Sequence, residues 1–250
     1  MNLEELLGEL RTNILRDDAE LASGPSDTLW TDDSLVLYIN DAQKRFARRT
    51  LSLRDSTTPE VVEVAMVSGI ATYALNASVL AVVSARFDTD THDLTRVGRA
   101  VLAIVRPEDN VWFDSNNIAA MTPGRPRAFS TDEGLEADSK AVMLTVYPTP
   151  TDAEDGLLLN LRVARLPLVD FSIDKLNVES EIDEMYQLDM LEWAAFRALR
   201  NSDIDGHSSA AKDHEKRFND AAQEVLKDIR RKMRAPMRFE FGRGGFAWES

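Results

Sequence analysis

The loop Asp88-x-Asp90-x-His92-Asp93 sets oxygen and nitrogen donors at alternate positions, a spacing that lets a loop fold them toward one hard cation. It lacks the central glycine and distal glutamate of a helix-loop-helix calcium site. A solvated hairpin tip is therefore the preferred reading, and a cation-dependent hydrolase using Asp88, Asp90 and His92 is the lesser alternative. His207 and His214 have no carboxylate at zinc-site spacing, which fits surface residues better than ligands. There is no cysteine, so thiolate metal sites, cysteine nucleophiles and disulfides are excluded. No nucleophile elbow, phosphate-binding loop, HExxH pair or dinucleotide fingerprint occurs, and the Gly242 to Gly245 run follows no strand-to-helix context. The expectation is a protein that is not an enzyme, with no catalytic, cofactor-binding or metal residues and no cofactor.

A different chemistry gathers at the C-terminus. From Lys227 to Gly245 there are seven basic residues against two acids, in a chain whose formal net charge is -14. Cations in the last helical turn complement the helix dipole, which accounts for the helical arginines but not for those beyond Pro236. There Met237, Phe239, Phe241, Phe246 and Trp248 alternate with glycines and with Arg238 and Arg243. Aromatic and arginine side chains are the usual anchors of protein interfaces. Arg234, Met237, Arg238, Phe239, Phe241, Arg243, Phe246 and Trp248 are accordingly the candidate residues for gripping a neighbouring subunit or another partner. Packing back onto the same chain is the bland alternative. Two tail arginines make a poor groove for single-stranded nucleic acid.

These residues need a scaffold, and its clearest element is the stretch from Trp30 to Thr50. Thr31 is a natural N-cap, Asp32 and Asp33 suit the first turn, and Trp30 can fold over Leu35 as a staple. Leu35, Ile39, Ala42 and Phe46 form one apolar stripe, with Asn40, Asp41, Lys44, Arg45 and Arg48 away from it. A first amphipathic helix is expected from about Leu3 to Asp17. Two more follow at the other end: one from about Ser180, where Ser180 and Asp183 resemble a capping box, and one capped by Ser208 or Ser209 and stopped by Pro236. On the third helix Ile182, Met185, Leu188, Leu191, Ala195, Ala198 and Leu199 mark a core side. On the fourth, Phe218, Ala222, Val225 and Ile229 form a narrow stripe.

Between the helices the pattern becomes extended. Val62, Val64 and Met66 read as one side of a strand, followed by a Ser68-Gly69 turn. Tyr73 to Leu75, Val79 to Phe87, Arg127 to Thr131, Ala141 to Tyr147 and Leu157 to Leu166 also read as strands. Residues 97–113 fit strand or helix equally well, and Asn116 to Pro126 reads as loop. The expected fold class is α+β: a helical bundle made by the N- and C-terminal helices, with an inserted antiparallel β domain. The divisions are 1–58 for the first part of the bundle, 59–175 for the β-rich insert, 176–235 for the second part and 236–250 for an extended arm.

Hydrophobic residues make up 44% of the chain, ample for a core, and a pI near 4.7 argues against wholesale wrapping of nucleic acid. No stretch approaches the roughly 20 apolar residues of a membrane span, and Glu4 and Glu5 stand where a secretion signal is basic. A soluble protein, intracellular where it is made and without membrane insertion, is expected.

Taken in order, WTDDSLVLYINDAQKRFARR, the Tyr73-Ala74-Leu75 entry to a strand, Gly124-Arg125-Pro126-Arg127-Ala128-Phe129, LTVYPTP at Leu144 to Pro150, and the Ser180 to Arg200 helix resemble the head-to-tail connector, or adaptor, proteins of tailed bacteriophages, especially short-tailed ones. The resemblance covers most of residues 28–200. It implies a structural virion protein of the neck, self-assembled into a ring of about twelve copies below the portal protein, joined to tail proteins and touching phage DNA only in passage through a central channel. It also implies that the C-terminal segment reaches the portal and that the protein is made in the host cytoplasm. Another tail or capsid accessory role is the runner-up.

Overall fold

The computed structural model describes residues 1–17, 28–97, 123–132, 141–202 and 206–234. Leu3–Glu9 is an α-helix (α1), begun by a capping box between Asn2 and Glu5, and it continues as a π-helical segment, Leu10–Leu15, ended by Arg16 in the left-handed region. Asp32–Thr50 forms α2 with Thr31 as its N-cap, and Leu35, Ile39, Ala42 and Phe46 are all fully buried. Each such side chain contributes about 2 kcal/mol when removed from water, less for alanine.

Gln187–Arg200 (α3) and His207–Arg234 (α4) complete this layer. Residues of all four helices share one buried cluster that includes Leu6, Phe46, Trp193 and Phe218. Its aromatic centre has Phe218 at 5.1 Å from Trp193 and 6.2 Å from Phe46, ring centre to ring centre. The polar side of α2 is also used. Asp41 accepts bonds from the Trp193 indole (2.7 Å) and from Arg197 (3.1 Å), and Arg45 lies 4.9 Å over the Trp193 ring.

The strands lie in two four-stranded sheets. In the first, Leu158–Arg165 (β8) is central, flanked on one edge by Arg54–Asp55 (β1) and Glu63–Ala65 (β2) and on the other by Val79–Phe87 (β4), all antiparallel. In the second the order is Thr72–Ala74 (β3), Met143–Tyr147 (β7), Ala128–Asp132 (β6), Thr95–Arg96 (β5). Phe87, Val163 and Leu161 from the first sheet and Phe129, Leu144 and Val146 from the second belong to a single buried cluster.

Several expectations are corrected. The insert is not wholly antiparallel, because β5 pairs with β6 in parallel. Such a pair needs a long connection, and some 30 residues separate the two strands, whereas hairpin partners need only a short one. Val62 ends a single helical turn, Pro59–Val62, opened by a proline at its first position, so only Val64 of the expected trio lies in a strand. Ser180 does not begin α3. Its hydroxyl donates to Gln43 (3.1 Å) and accepts from the Ile182 NH (3.2 Å), while Asp183 caps a 3-10 turn, Glu184–Tyr186, that leads into the helix. Met185 and Leu188, assigned to the core side, are 67% and 52% exposed. They precede or open the helix, before its stripe is covered. The last helix starts at His207, two residues earlier than a Ser208 cap allows, with Gly206 at φ 93° supplying the turn. Residues 98–122, and with them the ambiguous run, lie outside the described residues.

Candidate functional site

Strand parity builds the first distinctive group. Along β8, Leu159, Leu161, Val163 and Arg165 occupy the inward-facing positions, so a guanidinium ends a row of apolar side chains. Its Nε donates to Asp55 on β1 (2.6 Å), and its Nη1 donates to Glu181 (2.6 Å) and to the Leu166 carbonyl (3.0 Å). Glu181 also accepts from the NH groups of Leu168 and Val169. Burial pushes the Asp55 carboxyl up, but bonds from Thr57, Thr58 and Arg165 outweigh it and hold the group well below the usual carboxylate range. Burial likewise works against the Arg165 charge, and the two carboxylates more than restore it. The triad ties the end of the sheet to the segment that leads back to α3. The sequence signal for this group is a lone arginine at an inward strand position, which the alternation alone does not distinguish from an edge residue.

Beside this triad lies a cleft of about 470 Å³, lined by Leu53, Arg54, Ile182, Asp183, Tyr186 and Ile229 among others. Ile229 sits five residues before Arg234, the last described residue of α4. At 1.5 Å per residue, the backbone leaves the described region about 7 Å beyond the cleft wall. Of the expected docking residues, Arg234 is thus placed at the end of the longest helix, as a backbone position. Met237, Arg238, Phe239, Phe241, Arg243, Phe246 and Trp248 lie outside the described residues.

The acidic loop is not a hairpin tip, because it joins β4 of the first sheet to β5 of the second, and its donors do not converge. Asp88 accepts from the Asn160 amide (3.0 Å), Asp90 pairs with Arg125 (2.6 Å), and His92 bonds its neighbour Thr91 (2.8 Å). Arg125 also donates to Thr89 and lies 5.3 Å over the Phe87 ring, so a guanidinium occupies the side of Asp90 that a cation would need. Among the described residues no three His, Asp or Glu side chains stand together as a metal site. The hydrolase alternative loses the cluster on which it was built.

The histidines are structural. His207 stacks on Trp30 at 6.0 Å and bonds Ser202 (2.8 Å), and His214 bonds Glu192 across the α3–α4 seam (2.6 Å). The Trp30 indole donates to the Ala198 carbonyl (3.2 Å), so this residue ties α2 to α3 as well as sitting in the core. On the same seam Asp189 has its carboxyl raised, by burial first and then by the charges of Glu192 and Glu224.

A family model described as SU10 adaptor protein matches residues 1–240. No curated protein matches the chain.

Proposed function

As a member of the SU10 adaptor protein family, the chain is a structural head-to-tail adaptor of a phage, and we propose that it assembles as a ring beneath the portal and joins the capsid to the tail around a channel for DNA. The family match over residues 1–240 carries this reading. Its family is one of virion structural proteins of the neck, not one known for catalysis. No helix among the described residues is long and apolar enough to cross a membrane.

In the proposed subunit, residues 1–58 and 176–235 form the bundle, 59–175 the insert, and 236–250 an arm that engages the portal or a neighbouring copy. The shared cluster of the four helices supports the first division, and the separate cluster between the sheets supports the second. The acidic balance suits a channel past which DNA slides, since a net charge of -14 works against a firm hold on phosphates. The stoichiometry of about twelve follows from the resemblance alone.

Deletion of Met237 to Ser250 tests the arm. The shortened chain should keep its circular dichroism spectrum and unfolding midpoint yet fail to co-sediment with portal protein. Undiminished co-sedimentation would refute the assignment of Phe239, Phe241 and Trp248 as anchors. Native mass measurement of the full chain, alone and with portal, tests the ring.

A further inference from the structure

The cleft beside the Arg165 triad lies where α4 hands the chain on to its aromatic segment. At about 470 Å³ it is wide enough for an aromatic side chain, and Leu53, Ile182, Tyr186 and Ile229 give it apolar lining. Arg54 and Asp183 line it too. Both are exposed, and neither has an ion-pair partner among the described residues. The Asp183 carboxylate accepts from the Met185 NH (3.1 Å), which leaves its charge uncompensated.

The sequence beyond α4 matches this lining and can reach it. Ile229 belongs to the cleft, and Arg234 stands about 7 Å further along the helix. Pro236 removes an amide that the helix would need to go on. Extended at about 3.4 Å per residue, the chain can carry Phe239 up to about 17 Å from Arg234, ample for a return to Leu53 and Ile182. Met237, Phe239 and Phe241 alternate with Arg238 and Glu240, so an extended run of these five turns three apolar side chains one way and carries one charge of each sign. We propose that residues 237–241 occupy the cleft of their own subunit before assembly, with Phe239 as the anchor, and leave it when another surface takes the arm. Tethering favours this occupant, because a segment attached a few residues away is present at an effective concentration in the millimolar range. Since the same aromatics must leave again, the docked form is favoured only about threefold, a bias that hardly registers in the unfolding midpoint. It raises the Kd for the next partner about fourfold. The release rests on the arm reading above, whereas the docking does not.

The chain has no cysteine, so S52C/G242C carries the only thiols, one lining the cleft and one directly after the docked segment. In dilute full-length protein, brief treatment with a short bismaleimide should link them within one chain, as read by gel mobility and intact mass. Adding Phe239→Ala leaves the tether intact and should lower that yield at least about threefold, with circular dichroism unchanged. An equal yield overturns the inference. A covalent dimer in place of the internal link puts the segment in another copy's cleft and overturns it as well. Leu53→Glu, in the chain without added cysteines, should free the arm and lower the Kd for portal protein about fourfold. An unchanged or raised Kd overturns the release. If wild type binds no portal, the portal reading fails, and the cross-linking yields still decide the cleft contact.

Discussion

Replacing Arg165 with methionine keeps most of the side-chain volume and removes the charge. The side chains of Arg165 and Asp55 are 9% and 3% exposed, whereas that of Glu181 is 26% exposed. Breaking a buried pair by removing one partner costs about 3 to 5 kcal/mol, because the remaining charge is left uncompensated. Glu181 recovers some water, and Asp55 keeps its bonds from Thr57 and Thr58, so the lower end, about 3 kcal/mol, applies. For a chain of this size that corresponds to a Tm about 6 to 12 °C lower. Urea unfolding at pH 7, followed by far-ultraviolet circular dichroism and tryptophan fluorescence, measures it. Arg165→Met combined with Asp55→Asn should cost less than the sum of the two single changes. The pH dependence has a definite sign. Asp55 has a folded pKa below its unfolded one, so its contribution is complete above the ordinary carboxylate value of about 3.9 and drains away as pH falls further. The gap between wild type and the arginine variant should therefore narrow below about pH 4. A variant within about 1 kcal/mol of wild type at pH 7, or a gap that widens in acid, would refute the claim that this triad clasps sheet to helices.

Phe218→Ala empties the space between Phe46 and Trp193 and should cost about 3 to 5 kcal/mol by the same unfolding assay, with altered Trp193 fluorescence. Asp189→Asn should have the opposite sign. A raised folded pKa means that ionisation penalises the folded state, so the amide should increase Tm slightly at pH 7 and leave it unchanged below about pH 3.5, as thermal scans at the two pH values would show.

Much of the helical layer was legible because amphipathic period is a local property. Leu35, Ile39, Ala42 and Phe46 are all buried, and the span Val79 to Phe87 agrees with β4 residue for residue. What escaped depends on partners remote in sequence. Ser180 looks like a cap until Gln43 takes its hydroxyl, and nothing local distinguishes the two uses. Met185 and Leu188 share the period of α3, yet among the described residues no element covers them. Asp90 resembles a ligand only while Arg125, 35 residues away, is left out of account. The parallel pairing of β5 with β6 was hidden because alternation specifies faces, not strand direction.

The mixing of the two ends within one cluster also bears on how the chain comes off the ribosome. Leu6, Leu10 and Phe46 are made early, but Trp193 and Phe218 appear only when most of the polypeptide exists. Until then the apolar stripes of α1 and α2 have no native cover, and loop closure over such separations is slow. A nascent adaptor thus carries uncovered apolar surface for most of its synthesis, and the native cover of α1 and α2 forms only once α3 and α4 exist. Apolar stripes left exposed in that interval are the surfaces on which an incomplete chain aggregates.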